Sequence, residues 1–564
     1  MKHLFRILPF IAALVIASCS GSSKQQIVPE KTDPPTVSFD KVSYTVKLGK
    51  SITITPTYRN VDGATYSWVM NGSVISTAQN LTFQGKEISE NYITLTVTTK
   101  FGSASKEIKI TVAAQLLPKV LVAVPDGGFT ILKESELKLT PTVENESGAS
   151  YLWYVDNTQV ATTKDYTYKS SAKGIHTLKV VMTNEDGTDS FSFNVKVCDE
   201  SDMPFSWNFE SDTYNYSTGR TIRILIRKVE NAFDATYKWV LDGVEKQNSN
   251  LNYFLCSETT VGAHTLVVTM TNKYGSLSKT LTVNVCPKEG TYKRTGGTAP
   301  CNKVYEFTPA PGQFINEGYT ATTQEQACKF AEDKFKTAGI VSLGAWGGYI
   351  VVGFDHSIVN DGGYNIAVTG NSFTNSSEPG IVWVMQDENG NGLPDDTWYE
   401  LKGSDYSTET RDCSITYYKP TSSKSPVLWT SSDGKSGSID YLSAYHTQNS
   451  YFPAWVSSTY TLYGSSLISK TVEVSKDVWY NRDFDWGYAD NFSSTDRLSS
   501  DSNSSGGAND NHFKISDAVR WDGSAANLQY VDFVKVQTGV CSKAGWIGEL
   551  STEVLGVKDY NLLK

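Results

Sequence analysis

Residues 63–72, GATYSWVMNG, decide the fold of the N-terminal half, because the same pattern returns twice. The further copies are GASYLWYVDN at 148–157 and DATYKWVLDG at 234–243. Each copy has a tryptophan at its sixth position, and successive copies begin 85 and 86 residues apart. A fixed period of this length indicates one small domain per copy.

Each copy is followed by a run in which apolar and polar residues alternate, closed by a glycine turn. The runs are YITLTVTTKFG at 92–102, HTLKVVMTNEDG at 176–187 and HTLVVTMTNKYG at 264–275. Alternation with period two places successive side chains on opposite faces of a strand, so the pattern predicts antiparallel β-sandwiches. The three repeated tryptophans, Trp68, Trp153 and Trp239, are expected to pack between the sheets.

These motifs resemble the PKD-like, immunoglobulin-like repeats of bacterial surface proteins. The resemblance rests on the Tyr-x-Trp strand and the glycine turn, whereas the WDFGDG motif of true PKD domains is absent. It implies three domains, at 35–114, 118–198 and 203–287, which act as spacers and project a terminal domain.

The remaining segment, residues 288–564, contains no copy of the repeat but is still rich in strand patterns. Examples are GGYIVVGF at 347–354, GIVWVM at 380–385 and VDFVKVQTG at 531–539. One helix is predicted at 322–338, capped by Thr322 or Thr323. Short strands with long polar loops predict one jelly-roll-like β-sandwich. We therefore expect an all-β chain: three tandem sandwiches, then a larger one with one short helix.

An acidic loop, DENGNGLPDD at 387–396, lies between the strand patterns IVWVM and TWYEL. Its first six positions match D-x-[DN]-x-[DN]-G, the opening of an EF-hand calcium loop. Trp398 stands where that loop has its twelfth-position glutamate, so the segment resembles the shorter calcium loops of extracellular β-domains. The predicted ligands of a structural calcium are Asp387, Asn389, Asn391, the Leu393 carbonyl, Asp395 and Asp396. The alternative is a solvent-exposed polar turn.

Two aromatic segments predict a ligand-binding surface. They are YFPAW at 451–455 and WYNRDFDWGYAD at 479–490. Flat rings beside carboxylates, amides and an arginine suit a ligand with one apolar face and a hydroxyl- or amide-rich edge, such as a sugar or a corrinoid. The predicted contact residues are Trp455, Trp479, Tyr480, Arg482, Asp485, Trp486 and Tyr488. The alternative is that these rings fill the sandwich core.

The C-terminal segment also resembles the galactose-binding-like domain of bacterial cell surface proteins. The residues concerned are GIVWVMQDENGNGLPDDTWYELKG at 380–403 and the closing run at 531–557, which includes Asp532, Glu549 and Glu553. Such proteins accompany outer-membrane nutrient uptake systems, including those for glycans and for cobalamin. The resemblance therefore implies a glycan or cobalamin-like ligand and, as a partner, a TonB-type transporter.

The N-terminus has the pattern of an export signal. Lys2 and Arg6 precede an apolar run at 7–17, which is too short to remain as a membrane span, and Ile16-Ala17-Ser18-Cys19 follows. These residues resemble the lipobox of bacterial lipoproteins, which implies a signal peptide at 1–19, lipidation of Cys19 and a flexible tether at 20–34. The protein is then expected on the outer membrane, facing the exterior; the alternative is a plain secretory signal.

Charge and motifs exclude several classes of function. The formal net charge is -10 and there is no long basic run, which argues against nucleic acid as a partner. No GxSxG elbow, P-loop or dinucleotide fingerprint is present. Glu378, Asp485 and Glu549 are candidate paired carboxylates, but sequence does not bring them together. We predict that the protein binds a ligand and is not an enzyme. The alternative is an adhesive scaffold, and a glycoside hydrolase ranks third.

Overall fold

The computed structural model is built almost entirely from β-strands, as the sequence predicts. It describes residues 34–39, 43–125, 128–203, 205–442, 445–475, 478–498 and 509–564. The predicted signal peptide, Cys19 and the tether up to residue 33 lie outside this part of the chain. Within it, no helix has the length and apolar character needed to cross a membrane.

The chain divides into two compact units, and the division runs through the first repeat. One unit is formed by residues up to 39 together with 53–83 and 91–108. The other is formed by 40–52, 84–90 and everything from Lys109 to Lys564. The second and third repeats and the C-terminal domain therefore belong to one unit.

The first repeat consists of nine strands. They are β1 (Thr36–Ser38), β2 (Ser43–Lys47), β3 (Ser51–Ile54), β4 (Thr57–Arg59), β5 (Thr65–Met70), β6 (Ser73–Ser76), β7 (Leu81–Gln84), β8 (Ser89–Thr99) and β9 (Gly102–Ala113). In the first unit β5 pairs antiparallel with β6 and β8, placing Trp68 opposite Leu95. In the second unit β2 runs parallel to β9.

The second and third repeats have the same order of strands. The second contains β10 (Lys119–Leu121), β11 (Phe129–Leu132), β12 (Leu137–Leu139), β13 (Thr142–Glu144), β14 (Ser150–Val155), β15 (Thr158–Ala161), β16 (Tyr166–Tyr168), β17 (Gly174–Asn184) and β18 (Gly187–Cys198). The third contains β19 (Ser206–Asn208), β20 (Thr213–Ser217), β21 (Ile222–Leu225), β22 (Lys228–Glu230), β23 (Thr236–Leu241), β24 (Val244–Ser249), β25 (Tyr253–Cys256), β26 (Gly262–Asn272) and β27 (Gly275–Cys286). Their five-stranded sheets have the orders β11-β18-β17-β14-β15 and β20-β27-β26-β23-β24.

The repeated tryptophans are core residues, as predicted. Trp68, Trp153 and Trp239 are each 0% exposed. In β17, Leu178, Val180 and Met182 are buried while the residues between them point outward, which is the period-two pattern of a half-buried strand. The alternating runs thus form the long strands whose inner faces surround the tryptophans.

The described part of the C-terminal domain contains seventeen further strands. They are β28 (Lys303–Thr308), β29 (Val341–Ser342), β30 (Tyr349–Val359), β31 (Ile366–Gly370), β32 (Gly380–Met385), β33 (Trp398–Leu401), β34 (Thr410–Tyr418), β35 (Val427–Ser431), β36 (Ser436–Ile439), β37 (Thr459–Ser466), β38 (Thr471–Ser475), β39 (Val478–Asn481), β40 (Asn509–Phe513), β41 (Ala518–Val519), β42 (Tyr530–Thr538), β43 (Glu553–Val554) and β44 (Gly556–Asp559). A six-stranded sheet, β28-β30-β42-β32-β33-β41, accompanies a three-stranded sheet, β40-β31-β44, and a four-stranded sheet, β36-β35-β34-β37. Val352 and Val534 from the first sheet share one apolar core with Val368 and Val557 from the second.

Among the described residues there is one α-helix, α1 (Gln324–Phe335), which confirms the predicted helix with shorter bounds. Thr323 is its N-cap, and its hydroxyl accepts a hydrogen bond from the Gln326 N–H at 3.2 Å. The helix buries Ala327 and Ala331 against the core of the C-terminal domain. The described cysteines are all free thiols.

The third repeat is docked onto the C-terminal domain. Arg220 donates to Gln386 Oε1 at 3.0 Å and to the Ala526 carbonyl at 3.3 Å, and it pairs with Glu289 at 2.9 Å. A single carboxylate of the C-terminal domain, Asp412, also pairs with Arg223 and Arg227 of the repeat, at 3.0 and 2.8 Å. The third repeat therefore makes several polar contacts with the C-terminal domain. The sequence predicted only that the repeat acts as a spacer for that domain.

Candidate functional site

A cavity of about 350 Å³ opens in the C-terminal domain beside α1. Its lining comes from the end of β28, the 309–321 loop, α1 and the loop that carries Trp455. The lining residues are Phe307, Pro309, Phe314, Ile315, Asn316, Glu317, Tyr319, Ala321, Ala327, Phe330, Lys334, Ile340, Ser342, Asn371, Trp455 and Glu553. A mostly apolar concavity with a few polar groups is the usual form of a small-molecule site.

Aromatic rings form the mouth of this cavity. Tyr319 and Phe330 are stacked, with ring centroids 5.3 Å apart and an interplanar angle of 7°. Phe314 and Tyr319 are 40% and 45% exposed, so both rings present a face to solvent. Trp455 is held nearby because Asn316 donates to the carbonyls of Ser450 and Phe452, each at 2.9 Å. Three aromatic side chains, Phe314, Tyr319 and Phe330, therefore line the side of the cavity that is open to solvent.

Asn371 and Glu553 supply polar lining, and Glu553 belongs to a cluster of three carboxyls. Glu378, Asp490 and Glu553 each have an oxygen within 4.8 Å of the other two. The side chain of Asn371 donates a hydrogen bond to Glu553. The two oxygens of Asp490 accept from the N–H groups of Asn371 and Glu553, both at 2.9 Å. These backbone bonds fix the cluster between the start of β43 and the loop after β31.

The pKa of each of the three carboxyls is raised above its ordinary value. Burial raises the pKa of Glu553 to about 7. Burial, followed by the charge of Glu553, also raises the pKa of Glu378 and of Asp490 well above their usual range. Protonated carboxyls both donate and accept hydrogen bonds, as sugar hydroxyls do. Glu553 and Asn371, which line the cavity, can therefore exchange hydrogen bonds with a hydroxyl-rich ligand.

We predict that this cluster makes the C-terminal domain less stable as pH rises. Because Glu553 has a pKa of about 7 in the folded protein, against an ordinary 4.5, the folded state binds more protons between these values. Below pH 4.5 the contribution of Glu553 to the free energy of unfolding has its full value. Between pH 4.5 and pH 7 this contribution decreases by about 1–3 kcal/mol. Glu553→Gln should flatten this slope in urea melts monitored by tryptophan fluorescence.

The matched control for this prediction is Glu325→Gln, which makes the same charge change on an exposed residue of α1. It should leave the slope of the free energy of unfolding against pH as it is in the parent protein. A Glu553→Gln variant whose stability falls with pH as steeply as the parent's would show that the cluster does not hold the protons assigned to it.

The predicted ligand-binding residues do not form one surface. Trp455 lines the cavity beside α1, whereas Trp486 lines another of about 220 Å³ together with Asp496 and His512. The prediction for Tyr488 is wrong: its ring is 1% exposed and packs edge-on against Phe484 in the core. The alternation that marks core strands is missing here because the chain enters the interior through a loop.

The other predicted contacts lie away from the cavity. Trp479 and Tyr480 are half-buried on β39, where Trp479 packs against a satellite core. Arg482 and Asp485 are exposed on the following loop. Asp485 also lies outside the carboxyl cluster, so the candidate pair Glu378 and Asp485 is not brought together. Sequence reasoning missed Asn371 and Asp490 as partners of Glu553, because their meeting depends on contacts between segments more than 60 residues apart.

The acidic loop 387–396 is partly buried, and its polar groups are mostly paired within it. Asp387 accepts from the Gly392 N–H at 3.0 Å. The oxygens of Asp395 accept from the side-chain amides of Asn389 and Asn391 at 3.0 and 2.9 Å. Leu393 has an exposed side chain. The loop is therefore held by hydrogen bonds between its own residues, and it is more buried than a solvent-exposed polar turn would be.

Three carboxylate oxygens of this loop accept no hydrogen bond from the described residues: Asp387 Oδ1, Glu388 Oε1 and Asp396 Oδ1. Burial raises the pKa of Asp396 to about 8 and that of Glu388 to about 7, and the charge of Glu388 adds to the shift at Asp396. Unpartnered buried carboxylate oxygens fit an oxygen-preferring cation such as calcium, which would satisfy them and neutralise the loop. Asp387 and Asp396 are the predicted ligands with oxygens free to bind it.

Comparison with known proteins supports the repeats and is silent on the cavity. A family model described as "PKD-like domain" matches residues 34–99 and 118–184. No curated protein matches the chain. Tandem PKD-like domains are typical of surface or adhesive scaffold-type proteins, and domains of this kind are typically non-catalytic.

Among solved structures, the chain is similar to fibronectin(III)-like modules of CbhA from Clostridium thermocellum, at 16% identity over 29% of this chain and 95% of that one, with a TM-score of 0.18. It is similar to Sidekick-1 immunoglobulin domains 1–5 at 14% identity, over 45% of this chain and 59% of that one, with a TM-score of 0.19. A chimeric titin Z1Z2 matches at 18% identity over 30% and 99%, with a TM-score of 0.20. These similarities carry no inference about function.

Proposed function

We propose that the protein is a surface lipoprotein whose C-terminal domain captures a glycan in the cavity beside α1. The observation that carries this proposal is the composition of the cavity. Stacked and exposed rings at its mouth meet the Asn371 amide and the Glu553 carboxyl inside, and Glu553 belongs to the carboxyl cluster. A sugar ring has an apolar face that packs on aromatic rings and hydroxyls that bond to amides and carboxyls.

The size of the cavity favours a sugar unit over a corrinoid. Its volume of about 350 Å³ lies near the lower end of the range of roughly 300–1,000 Å³ for small-molecule pockets. A corrinoid macrocycle with its amide side chains needs more room than this. One or two residues of a glycan chain fit, with the rest of the chain extending past Phe314 and Tyr319.

The carboxyl cluster supports binding more than hydrolysis. Glycosidases place two carboxyls on either side of the scissile bond, roughly 5–5.5 Å or 6.5–9.5 Å apart. Here three carboxyls have oxygens within 4.8 Å of one another, and Asp490 is fully buried with both oxygens on backbone N–H groups.

The export signal and the repeats fit a protein displayed outside the cell. In this proposal Cys19 carries the lipid, the repeats hold the C-terminal domain away from the outer membrane, and a TonB-type transporter receives the captured glycan. The tandem PKD-like domains are consistent with such display. Calcium in the loop 387–396 is a structural part of the proposal.

The test is calorimetric titration of the whole chain with a panel of polysaccharides and with cobalamin, in calcium. Trp455→Ala should weaken binding of the responding glycan at least tenfold, or about 1.4 kcal/mol, because buried aromatic contacts dominate binding energy. The matched control is Phe373→Ala, which removes a ring that is 50% exposed and lies outside the cavity. It should leave the affinity unchanged.

Three other outcomes would each overturn the proposal. Saturable heat with cobalamin alone would assign a corrinoid ligand, and release of shorter sugars during the titration would assign a glycosidase. Silence across the panel would favour the second candidate function, an adhesive scaffold that binds a protein partner. That candidate is favoured by the tandem PKD-like domains.

A further inference from the structure

The acidic loop 387–396 lies against the third repeat, and both of its ends are held there. The side chain of Asn215 in β20 donates to the Asp395 carbonyl at 3.0 Å, and Thr397 donates through its hydroxyl to the Asn215 carbonyl at 3.1 Å. Two residues further along β20, the Ser217 N–H donates to the Glu388 carboxylate. One strand of the repeat therefore contacts the beginning and the end of the loop.

The loop also has free ligand atoms. Asp387 and Glu388 are each only 3% exposed, yet each has one carboxylate oxygen that accepts no hydrogen bond from the described residues. Asp396 has a third such oxygen. The backbone brings Asp396 to the start of the loop, because its other oxygen accepts from the Glu388 N–H at 2.9 Å. Leaving such groups buried and unpaired is costly unless a cation satisfies them.

We propose, resting on the calcium site of the proposed function, that calcium bound by Asp387 and Asp396 locks the third repeat onto the C-terminal domain. The cation joins the two ends of the loop, and Glu388, which lies between its ligands in the sequence, holds Ser217 of the repeat. With the two ends of the loop joined, Asn215 and Ser217 bind to a loop that is held rigid. Without the cation, one buried oxygen each of Asp387, Glu388 and Asp396 is left without a partner among the described residues, and the contacts to β20 loosen. The cation thus controls how firmly the repeat is held.

The experiment measures calcium binding and the state of the contact on the same full-length chain. Calorimetric titration of chelator-treated protein with calcium should give one site per chain. Hydrogen–deuterium exchange should show the amides of residues 215–217 exchanging at least tenfold more slowly with calcium than with chelator. Asp387→Asn keeps the shape of the side chain and removes its charge, and it should abolish both effects; Asp396→Asn is the second variant should the first not fold.

The matched control is Asp412→Asn, which removes the ion pairs with Arg223 and Arg227 from the same interface but lies outside the loop. It should leave the calcium affinity unchanged. Two results would overturn the proposal. One is the absence of calcium binding by the parent chain. The other is calcium binding with equal exchange at 215–217 in calcium and in chelator, which would make the cation a stabiliser of the loop alone.

Discussion

Replacing Trp239 by alanine is expected to lower the free energy of unfolding of the third repeat by about 3–5 kcal/mol. The side chain is 0% exposed, stacks on Phe254 at 5.7 Å and meets the edge of Phe209 at 6.0 Å. Truncation leaves a cavity that the surrounding strands cannot close. Urea denaturation of the whole chain, followed by hydrogen exchange at β23 and β26, measures the loss in this repeat separately from the others.

Tryptophan-to-phenylalanine variants provide the control for that prediction. Trp153 donates through Nε1 to the carbonyls of Thr163 and Lys164, at 3.1 and 3.2 Å. The Nε1 atom of Trp239 is buried and has no acceptor among the described residues. Trp153→Phe should therefore cost about 1 kcal/mol more than Trp239→Phe. Equal losses in the free energy of unfolding would show that both tryptophans stabilise their repeats through packing alone, with no contribution from the Trp153 hydrogen bonds.

Arg220→Ala is expected to have the second large effect, a loss of about 3–5 kcal/mol at the boundary between the third repeat and the C-terminal domain. The Arg220 side chain is 9% exposed. It forms an ion pair with Glu289 and donates hydrogen bonds to Gln386 and to the Ala526 carbonyl. Its removal leaves Glu289 without its ion pair inside the boundary. Chemical denaturation should show the third repeat and the C-terminal domain unfolding in separate transitions.

An exposed ion pair of the same repeat gives the comparison. Lys238 and Glu245 are 2.9 Å apart, but both side chains are about half exposed, so solvent screens the pair. Lys238→Ala should change the free energy of unfolding by less than about 1 kcal/mol. Similar losses for Lys238→Ala and Arg220→Ala would mean that burial does not decide the strength of these contacts.

Local patterns in the sequence were enough to predict the elements that depend on neighbours along the chain. The alternating runs became long strands, the tryptophans became core residues, and Thr323 became the cap of α1. Each of these depends on a period of two or on a cap three residues from its partner. The acidic loop was also placed correctly between two strands, β32 and β33.

The cavity was beyond prediction because its parts come from distant segments. Asn371 and Glu553 are brought together by the pairing of β31 with β44 and of β29 with β43. A single sequence contains no signal for such pairings. The aromatic segment 479–490 misled the prediction for a related reason: a ring that enters the core through a loop, as Tyr488 does, lacks the alternation by which core strands are recognised.

The way each repeat begins and ends bears on how it responds to mechanical force. An early strand runs parallel to the last one: β11 beside β18, from Phe129 opposite Val195 to Leu132 opposite Cys198, and β20 beside β27. Tension applied between the ends of such a domain loads all the hydrogen bonds of the parallel pair at once, in shear, instead of opening them one after another. These repeats are therefore arranged to stay folded while the chain is pulled from both ends.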